Sequence, residues 1–346
     1  NRVIMVNLPE KEGVVTPADD ELLAMFDVVE AADIVPYKDE ISDAPLLAEL
    51  PQAGHMVNEQ SIPKLDVTQW ELSNGVRVFL KTTDFKNDEI LLRATSPGGY
   101  SLADDQNYIA ASTAAAVVAR GGVGPFDRIA LGKYLAGKMV NVSPSISSLT
   151  EGFSASASPQ DIKTMFQLIY AYFTSPRKDS TAYLSYKEQM RGWLENRSST
   201  PEAAFRDTIQ VTLSQHHFRT RPWTLEMLDE MDLQTSYSFF RERFADASDF
   251  TFFIIGNFDV EEIQPLVLQY LGGLPATNRI EMWRDVGIET PLGKIEKTVR
   301  RGMEPKSSTR MVFSGPFEWT PQNRYDLNAM VQVLRIKLRE KIREDE

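Results

Sequence analysis

The chain has 346 residues, long enough for two domains, and its hydrophobic fraction of 42% is that of an ordinary globular protein. Its net charge of −12 argues against a nucleic-acid partner, because nucleic-acid phosphates require compensating lysine and arginine. There is no cysteine, which excludes disulfides, thiolate metal sites and cysteine nucleophiles and suits an extracytoplasmic location. No apolar run approaches the roughly 18 residues of a membrane span, so we expect no membrane partner.

The first 64 residues are predicted to be the end of a preceding domain and a linker. Arg2–Leu8 is a short apolar strand without a partner nearby in the sequence. Pro17 begins a helix that runs from Ala18 to about Ala32, with acidic residues in its first turn. The stretch 34–64 is rich in proline and acidic residues and has no periodicity, which is typical of a linker.

The next segment has the pattern of a β-hairpin followed by a third strand. Trp70–Ser73 and Val76–Leu80 flank Asn74-Gly75, the dipeptide that most readily forms a tight hairpin turn. Glu89–Ala94 is an apolar run that ends before Gly98-Gly99. An alanine-rich helix follows.

The rest of the globular body, which we predict to span residues 65–275, continues with strands and helices. Val140–Ser148 and Glu151–Ser156 alternate small polar and apolar residues and are predicted strands, and an amphipathic helix follows from Ser158 to about Phe173. Phe250–Ile255 is predicted to be a fully buried strand. Separate runs of strands and helices predict an α+β fold, a mostly antiparallel sheet with helices packed on one face.

Residues 276–346 are predicted to begin a second, truncated module. Ile295–Arg300 and Met311–Ser314 have strand patterns, and the sequence becomes helical from Pro321. Two strands and a helix cannot close a core. We therefore expect the chain to be a fragment of a longer protein.

The segment from Trp70 to Asp105 resembles the insulinase-like (pitrilysin) zinc peptidases, which are inverted zincins. The resemblance continues through GFSASASPQDI at 152–162 and RFADASDFTFFIIGNFD at 243–259. In a catalytic copy, the helix after the glycine loop carries H-x-x-E-H, whereas Ala110–Val118 here reads AASTAAAVV. This pattern is similar to the second, non-catalytic half of the large bacterial periplasmic members. The resemblance implies a mitochondrial-processing-peptidase-like domain at 65–275 and a homologous domain that starts at 276.

No catalytic or metal-binding residue is expected in this chain. Its only histidines are His55, His216 and His217, and two adjacent histidines on a helix point about 100° apart and cannot face one metal ion. Glu195 falls near the place of the family's third zinc ligand, where it is a remnant without its histidines. The resemblance places the zinc in the missing catalytic half.

Three residues are candidates for substrate binding. Arg343 matches an arginine that approaches the substrate in the last domain of the family, although the tyrosine that follows it there is absent from this sequence. Gly98 and Gly99 with the adjoining sheet edge are candidates for holding a peptide by strand addition. A turn without any ligand role is the alternative for the two glycines, and a solvated helical face is the alternative for Arg343.

Two functions of different classes remain open. The first is a non-catalytic region of a periplasmic zinc metalloendopeptidase, which forms chamber wall and substrate contacts for hydrolysis carried out by the zinc-bearing half. The alternative is a pseudoenzyme that acts as a binding or assembly subunit with no role in proteolysis. The expected partners are the N-terminal catalytic half, peptide substrates and a second copy of the chain, which self-associates through its exposed interface.

Overall fold

The structure, a computed structural model, describes residues 3–8, 15–33, 44–198, 200–303 and 305–343. The chain divides into two compact units, Asn1–Asp43 and Ala44–Glu346. In the first unit, helix α1 (Asp19–Ala31) begins with three acidic residues, which the helix dipole favours, and it confirms the predicted helix to within a residue at each end. Residues 3–8 form neither a helix nor a strand paired with any described residue, and Arg2 lies outside the described ranges.

The second unit is built around a seven-stranded mixed sheet. Its strands are β1 (Met56–Ile62), β2 (Val67–Leu72), β3 (Arg77–Thr82), β4 (Ile90–Pro97), β5 (Val140–Ile146), β6 (Thr150–Ala157) and β7 (Thr251–Gly256). The strand order is β1-β2-β3-β7-β4-β6-β5. Only the β3–β7 pair is parallel among these strands.

The β2–β3 hairpin forms where Asn74-Gly75 predicts it. Gly75 has a φ of +86°, a value that side chains with a Cβ disfavour, and its N–H donates to the Leu72 carbonyl. The Asn74 side chain donates to the carbonyls of Leu271 and Leu274, so that the turn is fixed to the end of a distant helix.

The helices of the second unit pack on one face of this sheet, except the last, which has no buried residue. They are α2 (Tyr108–Gly121), α3 (Arg128–Tyr134), α4 (Ile162–Thr174), α5 (Ser180–Ser198), α6 (Pro201–Leu213), α7 (Leu233–Arg243), α8 (Val260–Leu266) and α9 (Pro321–Arg343). Phe166 of α4 and Phe240 of α7 join Leu80, Leu92 and Phe252 of the sheet in one buried core. The predicted α+β class, with helices on one face of a mostly antiparallel sheet, is confirmed.

The structure corrects two predictions about strands: one strand was missed, and another is less buried than predicted. β1 lies within the predicted linker 34–64, of which residues 34–43 fall outside the described ranges. It was missed because MVNEQSI is mostly polar, as befits an exposed edge strand. β7 is not fully buried: its side chains alternate, and Phe253 and Ile255 are partly exposed.

Between residue 275 and α9, the described residues form neither a helix nor a paired strand. Ile295–Arg300 and Met311–Ser314 have no strand partner among the described residues, so the two predicted strands are absent there. α9 has no buried residue. The predicted domain boundaries near residues 64 and 275 stay predictions.

Candidate functional site

Helix α2 is the helix on which the resemblance places the zinc motif of a catalytic copy. Its side chains from Ala110 to Val118 are small and mostly apolar, and Ala111, Ala114, Val117 and Val118 are buried. The hydroxyls at its centre are satisfied within the helix, because Thr113 Oγ1 donates to the Ile109 carbonyl at 2.9 Å. Nothing along Ser112–Val117 can coordinate a metal ion.

The space between α2 and α5 is filled by a second apolar cluster. Ile109 and Val117 of α2 pack with Leu194 of α5 and with Met227 and Leu228, and all of them are buried. Packing of this kind leaves no room for a water-filled metal site. Among the residues that the structure describes, no group of three or more His, Asp or Glu is placed to hold a metal ion.

The resemblance identifies Glu195 as the remnant of a zinc ligand, and the sequence excludes the adjacent His216 and His217 as a metal-binding pair. Glu195 is exposed on α5, next to the buried Leu194. The ring of His217 is tied at both nitrogens: Nδ1 accepts from the Arg219 N–H at 3.2 Å, and Nε2 lies 2.9 Å from the Val286 carbonyl. An Nε2-protonated ring satisfies both contacts, so His217 links a loop to the segment after residue 275.

The Gly98-Gly99 loop is buried and tightly fitted against the β5–β6 turn. Gly98 and Gly99 have φ values of +145° and +63°. A Cβ on Gly99 would lie 2.4 Å from the Ser147 carbonyl oxygen, so only glycine fits. The Gly98 N–H donates to the Leu149 carbonyl at 2.8 Å, and the Gly99 N–H donates to Glu151 Oε2 at 2.6 Å.

Glu151 and Arg243 form a buried polar pair beneath this loop. Glu151 is 2% exposed and Arg243 is 1% exposed, and Arg243 Nη1 lies 4.0 Å from Glu151 Oε1. Burial raises the pKa of Glu151 to about 7, although the Gly99 N–H and Arg243 act in the opposite direction. Arg243 also makes a two-pronged contact with Glu281, at 2.8 and 3.0 Å.

Further carboxylates extend this pair into a cluster that holds the segment after residue 275. Asp246 accepts hydrogen bonds from Thr277 Oγ1, the Arg279 N–H and the Ser248 N–H. Burial raises its pKa, but these hydrogen bonds outweigh burial and hold the pKa well below its usual value. Burial raises the pKa of the neighbouring Asp249. Sequence reasoning missed the cluster because its members are far apart in the chain.

A second set of contacts fixes the same segment to the loop after Gly99. Arg284 Nε donates to the Ser101 carbonyl at 3.0 Å, and its Nη2 donates to the Ala103 carbonyl. Arg219, which is buried, donates to the Ala103 carbonyl at 2.6 Å and pairs with Asp105 at 2.7 Å. The loop that follows the glycines is therefore held from two sides.

Arg343 lies at the other end of the described chain. It is an exposed residue in the last turn of α9 and makes no hydrogen bond or ion pair with another described residue. The structure thus places Gly98 and Gly99 together and leaves Arg343 without a contact to them. The rest of its predicted element, Glu344–Glu346, lies outside the described residues.

Comparison with protein families gives a match over residues 231–346 to the peptidase M16 inactive domain. A zinc protease PQQL-like protein from Arabidopsis thaliana is 28% identical over 249 residues, which cover 70% of this chain and 23% of that protein. In the described ranges, no helix is both long enough and apolar enough to cross a membrane.

Two solved structures share the fold. The periplasmic protease PqqL from Escherichia coli superposes with a TM-score of 0.63 at 19% identity, over 80% of this chain and 30% of that one. The ferredoxin protease FusC, solved in complex with Arabidopsis ferredoxin, gives 0.59 at 18% identity, over 78% of this chain and 30% of that one. The chain thus spans less than a third of the length of these proteins. It is similar to the PqqL-like zinc proteases, and its residues 231–346 match the inactive domain of peptidase family M16.

Proposed function

We propose that this chain is a non-catalytic part of a periplasmic zinc endopeptidase, in which it forms a wall of the substrate chamber. The observation that carries the proposal is helix α2, which keeps its place in the fold but has small apolar residues where the zinc motif would stand. Zinc and the attacking water then belong to the N-terminal catalytic half, which is the expected partner. The periplasmic location is supported by the fold that this chain shares with PqqL from E. coli, which is a periplasmic protease.

The division of the chain follows from the same proposal. Residues 1–64 end the preceding half and link it to this one, residues 65–275 form the non-catalytic domain, and residues 276–346 begin the next domain. α9, which buries no residue in this chain, is then covered by the rest of that domain. Until it is covered, its exposed apolar side chains favour self-association of this chain.

Gly98, Gly99 and Arg343 are the proposed substrate contacts. The N–H groups of both glycines already donate hydrogen bonds within the chain, so they do not bind the peptide directly. The glycines instead form a loop without side chains, and the peptide passes along this loop. Arg343 is exposed and offers a guanidinium group that binds a peptide carbonyl.

The test is hydrolysis of an unstructured peptide, with zinc content measured on the same samples. This chain, the segment encoded upstream of it and their mixture are compared. We expect stoichiometric zinc only in the upstream segment and full hydrolysis only in the mixture. Stoichiometric zinc or cleavage by this chain alone would contradict the proposal, as would full activity of the upstream segment without it.

A further inference from the structure

The face of the sheet that points away from the helices carries a compact group of large side chains. In β3, β4 and β7 the residues alternate between the buried core and this second face. We call its central part the open face. It comprises Arg77, Phe79, Leu91, Arg93, Phe253 and Ile255.

The centre of the open face is apolar and partly exposed. Phe79 and Phe253 are directly paired across β3 and β7 and stack with their ring centroids 5.2 Å apart. Phe253 is 39%, Ile255 43% and Leu91 48% exposed. Large apolar side chains that are exposed next to one another on a folded protein indicate a binding surface.

Basic side chains adjoin this apolar centre, although the chain as a whole has a net charge of −12. Arg93 lies directly opposite Phe253 in the pairing of β4 with β7, and Arg77 lies two residues before Phe79. Both are exposed, and neither forms an ion pair with a carboxylate of the described chain. Glu71 is the residue opposite Arg77 across the hairpin, yet it is not within ion-pair distance.

On the side of Arg93 that faces β6 and β5, the neighbouring side chains are small, polar and uncharged. Ser154 is its partner on β6, and Ser143 is the partner of Ser154 on the edge strand β5. These short side chains leave space above the sheet for a polypeptide that lies across the strands. A bound carboxylate beside Arg93 would meet no competing negative charge from this row.

We propose that the open face binds an extended polypeptide segment in which an aromatic residue and an aspartate or glutamate are separated by one residue, because alternate side chains of an extended chain face the same surface. The aromatic ring packs on Phe79 and Phe253, and the carboxylate pairs with Arg93. This inference rests on the proposed function, because it names the class of segment that the chamber wall receives. Charge complementarity selects this occupant, since two unpaired guanidinium groups beside an aromatic stack match an acidic and aromatic segment.

The test is fluorescence anisotropy of the 346-residue chain with three labelled peptides of otherwise identical Gly/Ser sequence. Their central tripeptides are Phe-Gly-Asp, Phe-Gly-Asn and Ala-Gly-Asp, and the peptides are called Phe-Asp, Phe-Asn and Ala-Asp after the two residues that face the sheet. We expect the Phe-Asp peptide to bind most tightly, with an affinity that falls as salt is raised. Replacing Asp by Asn is expected to weaken binding roughly tenfold, the size of one charge-assisted pair.

Variants assign the binding to the open face. Arg93→Gln is expected to weaken Phe-Asp binding roughly tenfold and to leave Phe-Asn binding unchanged, because only the first peptide has the charge that Arg93 pairs with. Phe253→Ser is expected to weaken Phe-Asp and Phe-Asn binding alike. Lys163→Gln removes an exposed positive charge from α4, on the helical side of the sheet, and is the matched control. Circular dichroism verifies that each variant is folded.

Two results would overturn the inference: equal affinity for the Asp and Asn peptides, or an Arg93→Gln variant that binds Phe-Asp as the unchanged chain does. Neither depends on zinc or hydrolysis, so failure here is separable from failure of the proposed function. The Arg93→Gln and Phe253→Ser variants are also mixed with the upstream segment and tested for hydrolysis of the Phe-Asp peptide. Hydrolysis at the normal rate would reject a role of the open face in hydrolysis and leave the chamber role of the chain intact. Tight Phe-Asp binding by a chain that adds nothing to hydrolysis would reject the chamber role and keep the binding surface.

Discussion

On one face of the sheet, Val78, Leu80 and Phe252 are buried beneath the helices, whereas on the other, Phe79, Phe253 and Arg93 reach solvent. These side chains alternate along the same strands, so the difference is not one of local sequence character. The helical face contains α2, whose alanine and valine side chains are packed into the core. The same strands therefore contribute one set of side chains to the core and leave the other set uncovered.

The largest effect expected from this comparison concerns two neighbouring phenylalanines of β7. Phe252→Ala removes a fully buried ring and is expected to lower the free energy of unfolding by about 3–5 kcal/mol. Phe253→Ala removes only a partly exposed ring that stacks on Phe79, and about 1 kcal/mol is expected. Urea unfolding followed by tryptophan fluorescence measures both. Equal losses would show that the open face is as much a core as the helical face.

A smaller effect concerns the pH dependence of the helical side's polar cluster. The pKa of Glu151 is about 7 in the folded chain and 4.5 is its ordinary value. Between these values the folded state holds a proton that the unfolded state has lost, so stability falls as the pH rises from about 5 to 8. The fall due to Glu151 is on the order of 3 kcal/mol.

Glu151→Gln keeps an acceptor for the Gly99 N–H and removes this titration. The variant is expected to lose less stability than the unchanged chain between pH 5 and pH 8, measured by urea unfolding at both values. Burial also raises the pKa of Asp249, but Asp249 is present in both proteins and so does not account for a difference between their profiles. Parallel pH profiles of the two proteins would contradict a raised pKa at Glu151. Asp246, whose pKa is held low, affects stability only below its ordinary value of 3.8.

The smallest effect concerns the attachment of the segment after residue 275. Arg284→Ala removes two hydrogen bonds to the Ser101 and Ala103 carbonyls and is expected to cost about 1–2 kcal/mol. Amide hydrogen exchange within residues 277–290 should become faster than in the unchanged chain. Arg310→Ala, an exposed arginine in the same region, is the control and should change neither quantity. Unaltered exchange in Arg284→Ala would show that the carboxylate cluster and the contact of His217 with Val286 hold the segment without Arg284.

Local signals in the sequence were sufficient for much of the fold. Asn74-Gly75 located the hairpin, and the apolar spacing from Ile162 located α4. The absence of the zinc motif from α2 was equally legible, because it depends on residue types and not on distances. β1 was missed because a polar edge strand has no hydrophobic alternation to detect.

Long-range features could not be predicted in the same way. Arg243 of α7 contacts both Glu151 of β6 and Glu281 of the segment after residue 275. These residues are far apart in the sequence, so no local pattern predicts the contacts. The apolar run FTFFII gave no sign that Phe253 and Ile255 would lie on an uncovered face. That distinction depends on which layers the fold supplies, and only the assembled sheet reveals it.

The parallel pairing of β7 also has a consequence for how the chain folds. β7 lies between β3 and β4, which are neighbours in sequence but never pair with each other, since Phe253 faces Phe79 on one side and Arg93 on the other. Until the ribosome has delivered Gly256, the nascent chain therefore has two separate antiparallel ribbons with unpaired inner edges. Such long-range closure slows folding and exposes aggregation-prone edges in the meantime. A polypeptide that folds after secretion is already complete, so β7 is available from the start and the delay caused by its synthesis does not arise.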